Sequence, residues 1–246
     1  MFEMFNTQCG KAISPEDYLS LDETLYRMRN QASFKQFNPS KPAKYNLLFK
    51  SINAPRYPYT FITAPSGGKP VGDAGEFYIS GCDEIVKSLI LRLEKSTDLK
   101  GRNVSFDHLY TSIPLYKWLL ERQITSVGTL KTNRRGIPDE FKSLEGRVEF
   151  SYKVLWEMPS KRLVLHSYVV KKKSSGLRNV LMLSSVQPLL GVIKDDDKFK
   201  PAIYTLYDFT KGGTNIVDQT VGFTPASQSR LDGQWWHSFS FWTHAE

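Results

Sequence analysis

The hydrophobic and polar positions in the first half of the chain repeat as they do in a sheet with flanking helices. Runs of β-branched and aromatic residues with alternating polarity predict strands. The predicted strands are residues 18–29, 45–54, 57–64, 102–110 and 124–130. The second and third are separated only by Ala54-Pro55-Arg56, which predicts a hairpin.

Two segments between these strands have helical spacing instead. In residues 83–95 the apolar side chains fall on one face, and the acidic residues Asp83 and Glu84 suit the N-terminal end of a helix. Residues 112–122 predict a second helix, with Pro114 tolerated in its first turn. Strands that alternate with helices predict an α/β fold with a mixed sheet flanked by helices.

The second half of the chain predicts further strands and one more helix. Residues 192–200 predict a charged loop and residues 202–207 another strand, before a Thr-Lys-Gly-Gly turn at 210–213. A helix then begins near Thr214, a residue type suited to the N-cap. Three earlier strands form either an inserted β-subdomain or an extension of the sheet. They are predicted at residues 147–155, 162–170 and 179–185.

Composition narrows the classes of protein that fit this pattern. Hydrophobic residues make up 40% of the 246 residues and charged residues 24%, as in ordinary globular domains. No apolar run approaches the roughly 20 residues that cross a bilayer, so no membrane partner is expected. Cys9 and Cys82 lack a second ligand at zinc-site spacing, so no zinc is expected in this chain.

Positive charge is concentrated in one segment of the chain. The net charge is +8, and the segment between Lys131 and Arg178 holds twelve basic residues and five acidic ones. A local basic field of this kind attracts polyanions, and the affinity falls with salt because counterions are released. DNA is therefore a candidate partner, although charge alone is also typical of a solvated face.

Two aspartates stand where the ligands of a catalytic metal would be expected. Asp22 follows Leu21 and Asp107 follows Phe106, each near the end of a predicted strand. Phosphodiester cleavage uses two divalent ions roughly 4 Å apart. Mg²⁺ prefers hard oxygen ligands such as carboxylates, which usually come from separate segments. A strand-end aspartate is more often a cap or a turn former, so position alone assigns no catalytic role.

Three blocks of sequence give these aspartates a context. Residues 18–51 hold an acidic pair and a Lys-Pro-Ala-Lys-Tyr step. Residues 101–141 hold a strand ending in Asp and a Val-Gly-Thr strand before Asn-Arg-Arg-Gly-Ile-Pro, and residues 200–219 hold a Lys-Gly-Gly turn before a helix. In order and spacing, these blocks resemble the conserved blocks of piggyBac-type transposases.

The resemblance implies a ribonuclease-H-like α/β fold, with a mixed sheet flanked by helices and a β-rich insertion before the last acidic block. Asp22 and Asp107 match the first two metal-binding aspartates of the family, whose cofactor is Mg²⁺ or Mn²⁺. The third catalytic aspartate falls at Asn215, and a second aspartate of that block is kept as Asp218. The implied catalytic set is these four residues, with Asp22, Asp107 and Asp218 as the metal ligands.

The resemblance also implies contacts with DNA. Residues of the basic loop and of the last turn would meet DNA phosphates, and the insertion would add non-specific contacts. The matching residues are Lys131, Asn133, Arg134, Arg135 and Lys211. Nuclear localisation is expected from the same resemblance, although no targeting signal is identified, and a homodimer is left open.

Three hypotheses about function are open, and the first two differ in what they infer from Asn215. An amide offers one neutral oxygen where a carboxylate offers two anionic ones, which favours a catalytically impaired core that still binds DNA. Alternatively, Asp218 lies one helical turn further on and replaces the missing ligand, so that the domain still cleaves DNA. The third hypothesis is a domesticated protein-interaction module that uses the aromatic side chains of residues 235–242.

These patterns divide the chain into five segments. The first is an N-terminal remnant, and the second and fourth form the core on either side of the basic, β-rich insertion. The fifth is an aromatic tail that we expect to be truncated, because an apolar end of this kind needs a partner surface. The segments are 1–13, 14–133, 134–199, 200–222 and 223–246.

Overall fold

The chain folds into a mixed sheet with helices on its faces. The computed structural model describes residues 2–27, 36–37, 39, 44–66, 81–172, 176–186, 192–195 and 198–223. The strands are β1 Tyr18–Arg27, β2 Gln36–Phe37, β3 Tyr45–Asn53, β4 Thr60–Ser66, β5 Asn103–Phe106, β6 Thr125–Leu130, β7 Tyr152–Trp156, β8 Val164–Lys171, β9 Leu177–Ser184, β10 Val192–Asp195 and β11 Lys198–Pro201. The helices are α1 Phe2–Ala12, α2 Cys82–Leu93, α3 Ile113–Glu121, α4 Asp139–Lys142, α5 Ala202–Thr210 and α6 Gly213–Phe223. The predicted α/β class is confirmed. None of the helices in these ranges is long and apolar enough to cross a membrane.

Three parallel strands, β1, β5 and β6, form the centre of the sheet, and the strands outside them pair antiparallel. Among the described residues the strand order is β2-β3-β1-β5-β6-β9-β8-β7, and β4 pairs with β3 beside this path. Because β5 and β6 run in the same direction, with α3 connecting them, their carboxyl ends lie at one edge of the sheet. In open α/β sheets this edge is where ligands bind.

The first half of the chain folds as its hydrophobic pattern predicts. β3 and β4 form the predicted antiparallel hairpin. Both predicted helices are present, and the Ser112 hydroxyl caps α3 by accepting a hydrogen bond from the Leu115 N–H at 3.2 Å. The buried residues of both helices belong to the main core cluster, in which α2 lies against β4 and α3 against β6. They are Val86, Leu89, Ile90, Leu93, Leu115, Tyr116, Leu119 and Leu120.

The strands of the second half extend the same sheet. β9 pairs antiparallel with β6, and β8 and β7 follow in order. Of the two alternatives for these strands, the structure therefore has the extension of the sheet. α4 covers this part with Phe141, which packs with Ile137 against Leu181. The division of the chain into five segments stays a prediction.

Two predictions for the chain before the last helix are wrong. The predicted charged loop contains a ribbon in which β10 pairs antiparallel with β11. The predicted strand at 202–207 is part of the helix α5. Its aromatic and β-branched residues are typical of a strand, but the buried residues Ile203, Tyr207 and Thr210 recur at the spacing of one helical face. The burial of that face against the sheet decides the conformation.

The helix predicted to begin near Thr214 starts one residue earlier, at Gly213. The Ile216 N–H donates to the carbonyl of Gly212 at 3.2 Å, so Gly212 occupies the N-cap position and Thr214 lies in the first turn. A Cβ at Gly213 would lie 2.3 Å from the carbonyl oxygen of Ala54, just after β3. Only glycine allows this approach, which seats α6 against the end of β3.

The first segment of the chain forms the helix α1, which packs on β4. The Asn6 side chain is buried, and its amide makes two hydrogen bonds with the backbone of Thr63. Nδ2 donates to the carbonyl at 2.9 Å, and Oδ1 accepts from the N–H at 3.0 Å. Asn6 thus forms hydrogen bonds with backbone groups of β4 that would otherwise have no partner at the edge of the sheet.

Candidate metal and DNA site

The register of the parallel strands brings Asp22 and Asp107 side by side. Leu21 of β1 pairs with Phe106 of β5, and each aspartate is the next residue of the chain. Because the two strands run in the same direction, both aspartates lie at the edge formed by the carboxyl ends of β5 and β6. Both side chains are partly exposed there.

A cleft of about 240 Å³ opens between these strands and the last two helices. α5, α6 and the turn between them bring Tyr207, Lys211 and Asn215 to the cleft. Asn215 therefore lies in the same cleft as both aspartates. The residues that line it are Ser20, Leu21, Asp22, Ser105, Phe106, Asp107, Tyr207, Lys211 and Asn215.

Short polar side chains hold the two helices over the strands. The Ser105 hydroxyl of β5 hydrogen bonds with the Thr210 hydroxyl at the end of α5. Nδ2 of Asn53 in β3 donates to Oγ1 of Thr214 in α6 at 2.7 Å. These contacts are buried and anchor the helices on both sides of the turn. The turn therefore presents Lys211 to the cleft in a fixed position.

Asp107 is held through one of its two carboxylate oxygens. Nδ1 of His108 lies 2.8 Å from Oδ1, and the Thr129 hydroxyl donates to the same oxygen at 3.3 Å. Thr129 follows Gly128, which pairs with Phe106, so it lies beside Asp107 on the neighbouring strand. Among the described residues, Oδ2 takes part in no hydrogen bond.

Asp218 does not line the cleft. Its carboxylate lies near Tyr26, where burial and then the negative charge of Asp218 raise the pKa of the phenol to about 12. Tyr26 is four residues beyond Asp22 on β1, roughly 13 Å along the strand. Within the ranges that the structure describes, no group of three or more His, Cys, Asp or Glu is arranged to hold a metal ion.

Lys211 reaches the cleft as part of a cluster of charged residues. Its Nζ lies 2.5 Å from Oδ1 of Asp208 and 5.2 Å from the ring centre of Tyr207. Lys200 pairs with the other oxygen of Asp208. Burial raises the pKa of Asp208, but the hydrogen bonds from the two lysines outweigh it and leave the pKa below its ordinary value. Asp208 therefore stays ionised and holds Lys211 at the cleft.

The predicted DNA-binding loop lies at the same edge of the sheet. It begins where β6 ends, and residues 131–136 are all exposed. The Arg134 guanidinium donates to the carbonyl of Thr111 at 2.8 Å, which ties the loop to the segment that follows Asp107. Lys131, Asn133 and Arg135 surround this anchor on the surface.

The hairpin of β8 and β9 carries further basic residues to this end of the sheet. Leu130 at the end of β6 pairs with Leu181, so the part of β9 before Leu181 extends past β6. Arg178 lies in that part, and Lys171 lies at the adjoining end of β8. Both are exposed. The basic loop and the hairpin therefore present positive charge on the same end of the sheet as the cleft.

Tyr207 is a cleft residue that the sequence pattern did not indicate, because its segment was predicted to be a strand. Burial raises the pKa of its phenol to about 12, a hydrogen bond with Thr129 opposes this, and the charges of Asp107 and Asp22 add to it. The phenol therefore stays protonated at neutral pH and can donate a hydrogen bond. The helical spacing of buried residues in α5 is the signal that would have identified it.

The donors in the cleft suit one divalent ion better than two. Asp22, Asp107 and Asn215 present hard oxygen atoms of the kind that Mg²⁺ and Mn²⁺ bind. Only two of them are anionic, and the ammonium group of Lys211 shares the cleft. A pair of divalent ions would be poorly neutralised by two carboxylates.

Comparisons with known proteins bear on the family and the fold of the chain. The family model described as Transposase IS4 matches residues 1–243. The chain is also similar to a chain of the cryo-EM structure of a piggyBac transposase synaptic complex with hairpin DNA, with 29% sequence identity and a TM-score of 0.74. The match covers 89% of this chain and 43% of that one. No curated protein matches this chain. The resemblance to piggyBac-type transposases and the ribonuclease-H-like fold are confirmed.

Proposed function

This chain belongs to the family described as Transposase IS4, and we propose that it is a DDE-type transposase domain that binds DNA but is impaired in cutting it. The observation that carries the proposal is the cleft in which Asp22 and Asp107 meet Asn215 in place of a third carboxylate. The similar piggyBac transposase chain comes from a complex with hairpin DNA, which supports DNA as the partner. Because this chain spans less than half of that one, the activity of the whole protein is part of the proposal.

The cleft residues have distinct roles in this proposal. Asp22 and Asp107, with the amide oxygen of Asn215, would hold Mg²⁺ or Mn²⁺. When bound, such an ion activates the attacking oxygen or stabilises the leaving oxygen of a phosphodiester. Lys131 and Arg135 neutralise phosphates beside the cleft, where their side chains are exposed. With one fixed negative charge fewer than a three-carboxylate site, the cleft competes less well with water for the ion.

Nicking of supercoiled plasmid DNA in Mg²⁺ or Mn²⁺ tests the impairment. We expect the wild-type chain to nick no faster than Asp22→Ala, which lacks one of the two cleft carboxylates. Equal binding of both proteins to the same plasmid, measured by its shift on a gel, shows that both are folded and bind DNA. Metal-dependent nicking by the wild type that Asp22→Ala abolishes would refute the impairment and favour the still-active alternative. Nicking by Asp218→Ala would then show whether Asp218 takes part.

The salt dependence of DNA affinity tests the basic loop. The double substitution Lys131→Ala and Arg135→Ala should make the negative slope of log affinity against log salt shallower by about 1.8, since each phosphate contact contributes about 0.9. Fluorescence anisotropy with a labelled duplex at several KCl concentrations measures the slope. Lys100→Ala is the matched control, because Lys100 is exposed before β5, at the opposite end of the sheet. Equal slopes for the double variant and the wild type would exclude the loop as the DNA contact.

The remaining expectations belong to the same proposal. Nuclear localisation is tested by imaging a fluorescent fusion, and a homodimer by analytical ultracentrifugation with and without DNA. The alternative of a protein-interaction module depends on aromatic residues 235–242, which lie outside the described residues. Failure of the chain to bind a DNA column even at low ionic strength would favour that alternative.

A further inference from the structure

Thr111 fixes the backbone of Asp107 in the turn that follows β5. Its hydroxyl donates to the carbonyl of Asp107 at 3.0 Å, and the Tyr110 N–H donates to the same carbonyl at 3.1 Å. Thr111 is buried, and a Cβ at Gly128 would lie 2.3 Å from its hydroxyl oxygen, so the glycine leaves room for that hydroxyl against β6. Buried groups therefore set the backbone of Asp107, and the direction of its carboxylate depends on the rotation of the side chain.

Two side chains from different elements restrict this rotation. Nδ1 of His108 lies 2.8 Å from Oδ1 of Asp107, and the hydroxyl of Thr129 lies 3.3 Å from the same oxygen. A carboxylate only accepts hydrogen bonds, so both groups donate and the imidazole carries a hydrogen on Nδ1. His108 belongs to the turn after β5, whereas Thr129 lies on β6, the neighbouring strand. Two donors that approach from separate segments restrict the carboxylate more than either one would alone.

We propose that His108 and Thr129 are positioning residues that hold Oδ1 of Asp107 and leave Oδ2 to bind a divalent ion in the cleft. Both described hydrogen bonds to this carboxylate use Oδ1. Asp107 lines the cleft but His108 and Thr129 do not, so the two residues act on the ion through Asp107. Hydrogen bonds from such supporting residues typically change metal affinity 10–100-fold. The inference rests on the proposed function, because it requires that Asp107 binds the metal.

The binding of Mn²⁺ in the absence of DNA tests this role, with free Mn²⁺ measured by electron paramagnetic resonance. The double variant His108→Leu with Thr129→Val removes both donors, and we expect it to bind Mn²⁺ at least about tenfold more weakly than the wild type. The matched control is His108→Asn with Thr129→Ser. It keeps both donors, because Nδ2 of asparagine takes the place of Nδ1 of histidine and serine retains the hydroxyl. Its Mn²⁺ affinity should therefore stay close to that of the wild type.

The outcomes separate this role from the metal site itself. Wild-type affinity in the variant without donors, with binding lost in Asp107→Ala, would overturn the positioning role alone. Equal losses in the two double variants would also overturn it, since a structural disturbance does not depend on the donors. A wild-type chain without saturable Mn²⁺ binding would overturn both the metal site and the positioning role.

Thermal melts of each variant identify any loss that comes from unfolding. The imidazole of His108 is 38% exposed, so His108→Leu alone leaves the core intact and replaces the double variant if that one does not fold. His108→Leu should bind Mn²⁺ more weakly than His108→Asn, and equal affinities for these two single variants would overturn the role of His108.

Discussion

Replacement of Asn215 by aspartate supplies the third carboxylate that the resemblance to piggyBac-type transposases implies at this position. The change conserves the size and shape of the side chain and adds one negative charge to the cleft that holds Asp22 and Asp107. Asn215 is exposed in the first turn of α6, so the new charge remains hydrated and lies near the positive end of the helix dipole. We therefore expect Asn215→Asp to fold as the wild type does.

The gain in metal affinity follows from the charges in the cleft. At an effective dielectric constant of about 20, a carboxylate about 3 Å from a doubly charged ion gains about 11 kcal/mol. Repulsion between the new carboxylate and the other two is present with and without the ion, so it does not reduce this gain. The lost contact of the amide oxygen and the dehydration of the new carboxylate offset most of it. We expect Mn²⁺ to bind at least tenfold more tightly, which corresponds to about 1.4 kcal/mol.

Isothermal titration with Mn²⁺ measures this gain, and plasmid nicking shows whether activity returns with it. We expect Asn215→Asp to nick DNA in Mn²⁺ faster than the wild type. The same substitution in an Asp107→Ala background is the control, because it adds the charge without completing the site. Equal Mn²⁺ affinity for the wild type and Asn215→Asp would refute the reasoning. A gain that persists in the Asp107→Ala background would mean that the ion binds elsewhere.

Three further predictions concern the stability of the fold. Burial lowers the pKa of His166 from 6.5 to about 4, so the unfolded chain takes up the proton first as the pH falls. The free energy of unfolding should drop by up to roughly 3 kcal/mol between pH 6.5 and pH 4, and urea titrations of His166→Phe should show a weaker dependence. Gly213→Ala should lower stability by roughly 1–3 kcal/mol, because its Cβ would meet a backbone oxygen at 2.3 Å. Gly212→Ala meets its nearest atom at 3.9 Å and should cost less, so equal shifts in thermal melts would contradict the close approach. Asn6→Ala should cost roughly 2–4 kcal/mol in chemical denaturation, since it leaves two backbone groups of Thr63 unpaired, and no change would mean that α1 contributes little.

The sequence by itself determines the strands and helices whose local composition or spacing is distinctive. Residues 45–54 and 57–64 predict the hairpin through their β-forming residues and short connector, and residues 83–95 predict the first helix of the core because its apolar residues recur on one face. Asp107 follows the end of β5 as the pattern predicts, but Asp22 lies within β1, at the point where the pairing of β1 with β5 ends. The resemblance to the transposase family adds Asn215 to them.

Residues 202–207 show where the local pattern is insufficient. Their composition fits a strand as well as a helix, and only packing distinguishes the two. The helix prevails because it places Ile203, Tyr207 and Thr210 together against the sheet. The helical conformation also brings Tyr207 to the cleft. The wrong prediction of a strand therefore left this residue of the site unidentified.

Only the tertiary structure decides which polar groups meet. The parallel register makes Asp22 and Asp107 neighbours across more than eighty residues of sequence. Asn215 joins them and Asp218 does not, although the two lie one helical turn apart. The close approach of Gly213 to the backbone after β3 fixes the first turn of α6 and therefore the direction in which its side chains point. The packing of α6 thus places the amide of Asn215 in the cleft and the carboxylate of Asp218 beside Tyr26. This packing depends on contacts across the whole fold and not on the local sequence.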